Sequence, residues 1–317
     1  MQIKNQNFIL ANQNDGYDGA FFDGVLGLEY NFTMGYLTFF DRLHSSKQIS
    51  NKIFSIYLSD NGFQGSGYDT STIIFGGYDL FYAQNKEIKF LNLTDRAGRW
   101  SVPLSEVKLD DFVISTKPSK AFFDVGASVI YAPKTEFDNI ASKIAELGSC
   151  WHERGHFVCD CSNYSINKYP SISFSLGLGT VESFSLDPQN YFLKHDSYCY
   201  LLFGVGDYES WTFGSVFLRK YYTIFDAENG RIGLVLASQE LGYPTIEALE
   251  ADSKSLDADK IKNIDIKTEK ALEYRYENIS YWAITGILLI CVSGFVCLSS
   301  KMSKGYDEEA YYQKINA

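Results

Sequence analysis

Through the first three-quarters of the chain, apolar and polar residues change over in short runs rather than in long amphipathic stretches. Runs rich in β-branched and aromatic side chains occupy residues 52–58, 71–75, 88–93, 112–115, 121–124 and 221–225, with turn-forming residues between them. Such runs read as strands bounded by turns. One segment departs from the pattern. Phe137, Ile140, Ile144 and Leu147 recur at helical spacing after Pro133, which predicts a helix over residues 134–147. No repeat of solenoid length occurs. The predicted class is all-β.

Near the C-terminus the pattern changes twice. Residues 241–280 are charged and poor in aromatics, with Glu247, Glu250, Asp252, Asp257 and Asp259 among several lysines, and read as a stalk. Within it, residues 264–276 fit coil or helix equally. Residues 281–298 then form an uncharged apolar run that opens on Tyr281-Trp282, long enough to cross a bilayer. The alternative, a buried core helix, would need a domain around it, and only a short polar tail follows. A transmembrane helix over 281–300 and a cytoplasmic tail over 301–317 are therefore expected.

Composition narrows the function. The chain has 28 Lys and Arg against 39 Asp and Glu, a formal charge of -11, which repels polyphosphate backbones and argues against a nucleic-acid partner. Its 23 Tyr and 24 Phe suit pleated, half-buried surfaces better than a helical bundle. Cys150, Cys159, Cys161 and Cys199 lie in the globular part, apart from Cys291 and Cys297 in the apolar run. With sequons at Asn31, Asn92, Asn163 and Asn278, they point to an oxidising, glycosylating compartment. The lumenal or extracellular side is then the N-terminal one, a single-pass type I arrangement. Cys150, His152, His156, Cys159 and Cys161 also admit a zinc site. Four cysteines allow three pairings. Cys159 with Cys161 is sterically poor, and Cys161–Cys199 with Cys150–Cys159 is the pairing adopted here.

The candidate chemistry centres on Ala121-Phe-Phe-Asp124-Val-Gly126-Ala-Ser128, an apolar strand running into a carboxylate, a glycine and small residues. An Asp-X-Gly after a strand is usually only a turn. Its neighbours add to it. The segment resembles the second Asp-Thr-Gly loop of pepsin-like (family A1) aspartic proteases, and other stretches follow in that family's order. Phe22-Asp-Gly-Val-Leu-Gly27 looks like the end of the first lobe, Ser71-Thr-Ile-Ile-Phe-Gly76-Gly77 like the interlobe strand, and Arg99-Trp100 like the turn into the second lobe. Most specific is Trp211-Thr-Phe-Gly214-Ser through Asp226, followed by Arg231-Ile-Gly-Leu, which resembles the closing segment of these enzymes. Cys161 and Cys199 also take the places of the second lobe's usual disulfide.

The resemblance implies a bilobal fold, a shared cleft and two aspartates that share a proton, one acting as base on a water while the other donates to the scissile carbonyl. It implies peptide substrates and no metal or organic cofactor. Asp124 is the expected catalytic residue, with Gly126, Ala127 and Ser128 lining the substrate. The first lobe keeps Val25-Leu26-Gly27, but Asp15-Gly16, Asp18-Gly19 and Asp23-Gly24 lack the flanking strand of a first catalytic loop, and Tyr17 falls too late for a flap tyrosine. With no apolar leader at the start, Met1 is expected to be an internal methionine of a longer protein.

Residues 1–88 are thus expected to be the remnant of an incomplete N-terminal lobe with the interlobe strand, and residues 89–240 the C-terminal lobe. The chain alone is expected to be a truncated or inactive endopeptidase, the alternative being a non-catalytic membrane protein that binds peptides or a partner. Val125 stands where the family has a hydroxyl that bonds across to the other lobe, a loss of about 1 kcal/mol. Ala127 replaces a Thr that donates to the carboxylate, which implies work at a less acidic pH. Thr212 and Ser215 replace an apolar residue and an acid. In the tail, Tyr312-Gln-Lys-Ile315 fits the Tyr-X-X-apolar pattern read by clathrin adaptors.

Overall fold

The computed structural model describes residues 3, 6, 8, 24–30, 37–59, 71–94, 98–153, 155–162, 165–206, 209–238, 288–290 and 296–298. Three sheets carry the fold. The first runs β2-β1-β16-β17-β3, built from β1 (Ile53–Tyr57), β2 (Thr72–Phe75), β3 (Lys89–Asn92), β16 (Tyr221–Asp226) and β17 (Arg231–Leu236). It joins strands from both ends of the globular part: Phe54 faces Phe225 in register, and their rings stack with centroids 4.6 Å apart.

The second sheet has eight strands, ordered β11-β10-β4-β6-β15-β7-β14, with β5 paired to β4. These are β4 (Ser101–Leu109), β5 (Phe112–Ser115), β6 (Ser119–Phe123), β7 (Ile130–Ala132), β10 (Ile172–Leu176), β11 (Glu182–Leu186), β14 (Phe203–Val205) and β15 (Trp211–Phe213). Trp100 joins this sheet to the first, edge-on to Phe54 and Phe225, with its indole N–H donating to the Leu28 carbonyl at 2.8 Å. The third sheet, β12-β13-β9-β8, contains β8 (Cys150–Glu153), β9 (His156–Asp160), β12 (Phe192–His195) and β13 (Tyr198–Leu201).

The predicted runs at 52–58, 71–75, 88–93, 112–115, 121–124 and 221–225 coincide with β1, β2, β3, β5, β6 and β16 to within two residues. β4 carried no clear signal because Pro103 interrupts it. Pro103 is tolerated because its carbonyl, accepting from the Gly177 N–H at 2.9 Å, points toward β10 just past that strand's last paired residue, Leu176. The missing N–H faces the same way, where no ladder bond is needed.

Of the helices, α1 (Phe39–Ser45) was not foreseen. Thr38 and Asp41 form a capping box, and Phe40 and Leu43 are fully buried. The predicted helix appears as α2 (Lys134–Ala145), with Phe137, Ile140 and Ile144 buried. Leu147 lies past its end and is exposed, because the chain tightens there into three-residue turns ahead of Gly148. Two short helices, α3 (Pro188–Tyr191) and α4 (Ser215–Lys220), complete the order.

The stalk, the cytoplasmic tail and Tyr312 lie outside the described residues. Of the expected span 281–300, only 288–290 and 296–298 are described. They pair as short antiparallel strands, β18 (Leu288–Ile290) and β19 (Val296–Leu298), not as helix. An apolar run rich in Leu, Ile and Val serves either state, and periodicity does not separate them. Among the described residues no helix is long and apolar enough to cross a membrane.

Candidate active site

Asp124 sits at the end of β6, and its position follows from strand alternation. Ala121 and Phe123 point into the core, so Phe122 and Asp124 share the opposite face. β15 pairs in parallel with β6, placing Phe213 beside Phe123, and the Asp124 N–H donates to the Phe213 carbonyl at 3.0 Å. Beneath it, Phe213 and Phe217 stack at 4.4 Å, with Phe123 and Phe174 edge-on to Phe213. The carboxylate is thus mounted on a rigid aromatic bed.

The loop after Asp124 folds over on itself. The Gly126 N–H donates to Asp124 Oδ1 at 2.9 Å, and the Ala127 N–H to the Asp124 carbonyl at 3.1 Å. Asp124 is 9% exposed, so its carboxylate is recessed but reachable. The segment 212–215 then clasps the loop from the other side. The Ser215 N–H donates to the Ala127 carbonyl at 2.7 Å, and Ser215 Oγ donates to the Ser128 carbonyl at 2.9 Å. Between them, Gly214 approaches so closely that a Cβ there would lie 2.2 Å from the Val129 oxygen and 2.3 Å from that of Ala127. Only glycine fits this crossing.

Asp124, Gly126, Ala127 and Ser128 are therefore held in one loop, with Ser128 exposed at its outer rim. Val125 and Ala127 are buried and bring no hydroxyl. Ser215, read from sequence only as a lost acid, is part of the clasp through both its N–H and its hydroxyl. The sequence signal for that contact was the adjacent Gly214 in an apolar run. The structure also sets Arg99 over the Phe122 ring on the face that carries Asp124, its guanidinium carbon 5.3 Å from the centroid. Sequence reading did not single out this pair, because the two residues are 23 positions apart. The stretch 24–30 packs on the same turn: Tyr30 N–H donates to the Gly98 carbonyl at 3.1 Å, and its ring meets Trp100 edge-on. Burial pushes the Glu29 carboxyl above the usual range, and the nearby Arg99 charge opposes that rise.

On the third sheet, Cys150 is bonded to Cys159 and Cys161 to Cys199. This is the pairing adopted from sequence, and it occupies the thiols that the alternative zinc site would need. Among the described residues no group of three His, Cys, Asp or Glu side chains is placed to hold a metal. Asn92 lies exposed at the end of the edge strand β3, whereas Asn31, Asn163 and Asn278 are outside the described residues, as are Asp15, Tyr17, Asp18 and Asp23.

Comparison with known proteins supplies the rest. A family model described as eukaryotic aspartyl protease matches residues 1–237. Pregnancy-associated glycoprotein 1 of Bos taurus is 34% identical over 243 residues, covering 73% of this chain and 59% of that protein. Pepsin A of Sus scrofa is 32% identical over 221 residues (67% of this chain, 54% of pepsin A), and renin of Echis ocellatus 32% over 224 residues (68% and 53%). The chain thus spans little more than half the length of these relatives. With a carboxylate loop clasped by a glycine crossing and a matched stretch, residues 1–237, that takes in all three main sheets, the chain belongs to the pepsin-like, eukaryotic aspartyl protease family.

Proposed function

We propose that this polypeptide supplies one half of the catalytic centre of an aspartic endopeptidase, with Asp124 as one of two carboxylates that share a proton. The observation that carries the reading is the clasped loop. Gly126 N–H holds one Asp124 oxygen while Gly214 and Ser215 fix the loop, and such preorganisation serves a reacting carboxylate rather than a surface turn. Two adjacent carboxylates cannot both ionise cheaply, so one stays protonated to donate to the scissile carbonyl while the other takes a proton from the attacking water. The products are a carboxylic acid and an amine, with no cofactor consumed.

Among the described residues there is one loop of this kind, and the 317-residue chain by itself is proposed to be silent as a protease. The test compares it with a form extended by the reading frame upstream of codon 1, each with and without Asp124→Asn. Cleavage of a denatured protein by the extended form alone, abolished by Asp124→Asn, supports the reading. Cleavage that survives Asp124→Asn refutes it.

A second reading is a non-catalytic family member that binds peptides or a partner. It is favoured by the buried Val125 and Ala127, where the family has hydroxyls. An upstream frame without a second Asp-Thr/Ser-Gly would select it.

The setting proposed for either reading is a type I membrane protein of the secretory or endolysosomal system or the cell surface. Two disulfides and the exposed Asn92 sequon support a lumenal or extracellular globular part, and the apolar run 281–298 supports the tether. Tyr312 is the proposed adaptor contact. Release of the chain from membranes by alkaline carbonate, or an unchanged gel mobility after enzymatic deglycosylation, would overturn these assignments.

A further inference from the structure

The sheet face that carries Asp124 also carries a cation that peptide-bond chemistry does not use. Phe122 stands on that face two residues before Asp124, about 6.6 Å along the strand. Its cross-strand partners are Ser101 on β4 and Thr212 on β15, and Thr212 is paired in turn with the exposed Tyr131 on β7. Paired residues share a face, so these side chains form one row beside the carboxylate. The Arg99 guanidinium lies over Phe122, 5.3 Å from the ring centroid, and the Arg99 side chain is exposed.

The backbone beneath it is anchored. Gly98 accepts from Tyr30, Trp100 accepts from the Phe123 N–H at 2.9 Å, and the Trp100 indole is tied to Leu28. Arg99 forms no ion pair within hydrogen-bonding reach among the described residues, and Glu29 is the charge that acts on it from further away.

We propose that Arg99, braced on Phe122 beside Asp124, is a specificity-determining residue that selects an acidic side chain in a bound peptide. The inference rests on reading Asp124 as half of a peptide-cleaving pair. A guanidinium resting on an aromatic ring keeps its N–H edge free, and that edge matches a carboxylate in two-pronged fashion. An extended peptide repeats its side-chain direction every two residues. One whose scissile bond lies at Asp124 therefore brings the side chain of a residue near that bond over Phe122 and Arg99. Lys at that peptide position would be repelled.

The test uses the full 317-residue chain and fluorescently labelled hexapeptides carrying a central hydroxyethylene group in place of the scissile bond. Glu, Gln and Lys are placed in turn at each remaining position, and affinity is read by anisotropy. At one position Glu should bind about fivefold more tightly than Gln, the upper range for a solvent-facing ion pair, and Lys more weakly than Gln. Arg99→Gln should erase the Glu–Gln difference, and Glu29→Gln should widen it. Equal binding of Glu and Gln peptides at every position, or a preference that survives Arg99→Gln, overturns the inference and leaves the cleft reading standing. The same series is run on the form extended upstream of codon 1, and if none of the peptides binds either form, the cleft reading fails and the inference falls with it.

Discussion

Gly214→Ala tests the clasp that positions Asp124. The Gly214 backbone, at φ −85° and ψ −164°, is open to any residue, so the demand on this position is space and not dihedral freedom. An alanine Cβ would lie 2.2 Å from the Val129 oxygen, 2.3 Å from the Ala127 oxygen and 2.8 Å from the Ala127 carbonyl carbon. All three are backbone atoms, so no side chain can swing away and the two segments must part by about 1 Å to reach ordinary contact, a form of overpacking. That movement breaks the 2.7 Å bond from Ser215 to Ala127 and loosens the 3.0 Å bond from Asp124 to Phe213.

Two hydrogen bonds at about 1 kcal/mol each, with about 1–3 kcal/mol of overpacking strain, give a loss of about 3–5 kcal/mol. The assay is urea unfolding followed by the fluorescence of the buried Trp100 and Trp211. Gly77→Ala is the control, since a Cβ there meets nothing within 4 Å, and it should change stability by no more than about 1 kcal/mol. A Gly214→Ala protein as stable as the Gly77→Ala control would refute the close-packed crossing.

Three further outcomes are expected. Stability should fall on acidification below about pH 4, because several aspartates, Asp41, Asp187 and Asp226 among them, are held below their usual range. For Asp187 the chief cause is the bond from Lys220; for Asp41 and Asp226 burial pushes upward, but Lys52 and Thr38, and Asn229 and Arg231, outweigh it. Each contributes stability that is present above the unfolded aspartate value and lost as pH falls through its lowered folded value. Glu29, raised by burial, acts in the opposite sense, its contribution being lost as pH rises through its raised folded value. The urea midpoint followed from about pH 6 to about pH 2.5 checks the net sign, and Asp226→Asn should flatten the decline. Replacing Cys161 and Cys199 by Ala should cost about 1 kcal/mol more than replacing Cys150 and Cys159, because the bridges close separations of 38 and 9 residues; thermal unfolding of the two variants measures it. In a proteolytically competent extended form, Ala127→Thr should move the pH optimum to more acidic values, and an unmoved optimum would refute the role given to that missing hydroxyl.

What the sequence determined by itself is local. The runs behind β1, β2, β3, β5, β6 and β16 were legible because burial on a sheet is written into neighbouring side chains, and α2 because Phe137, Ile140 and Ile144 fall on one helical face. The Asp124-Val-Gly126 turn was legible too, but its meaning came from resemblance and not from the residues alone. β4 was hidden by Pro103, whose missing N–H matters only once the neighbouring strand is known to end, and α1 was hidden because a capping box with two buried residues leaves little periodicity.

Tertiary structure alone decided the site. β6 finds β15 some 90 residues later, Phe54 finds Phe225, and Arg99 comes to rest on Phe122. Strand partners are chosen by competition among all exposed edges and faces of the collapsed chain. The clearance of a missing Cβ at Gly214, or the space above one aromatic ring, exists only after that competition has ended.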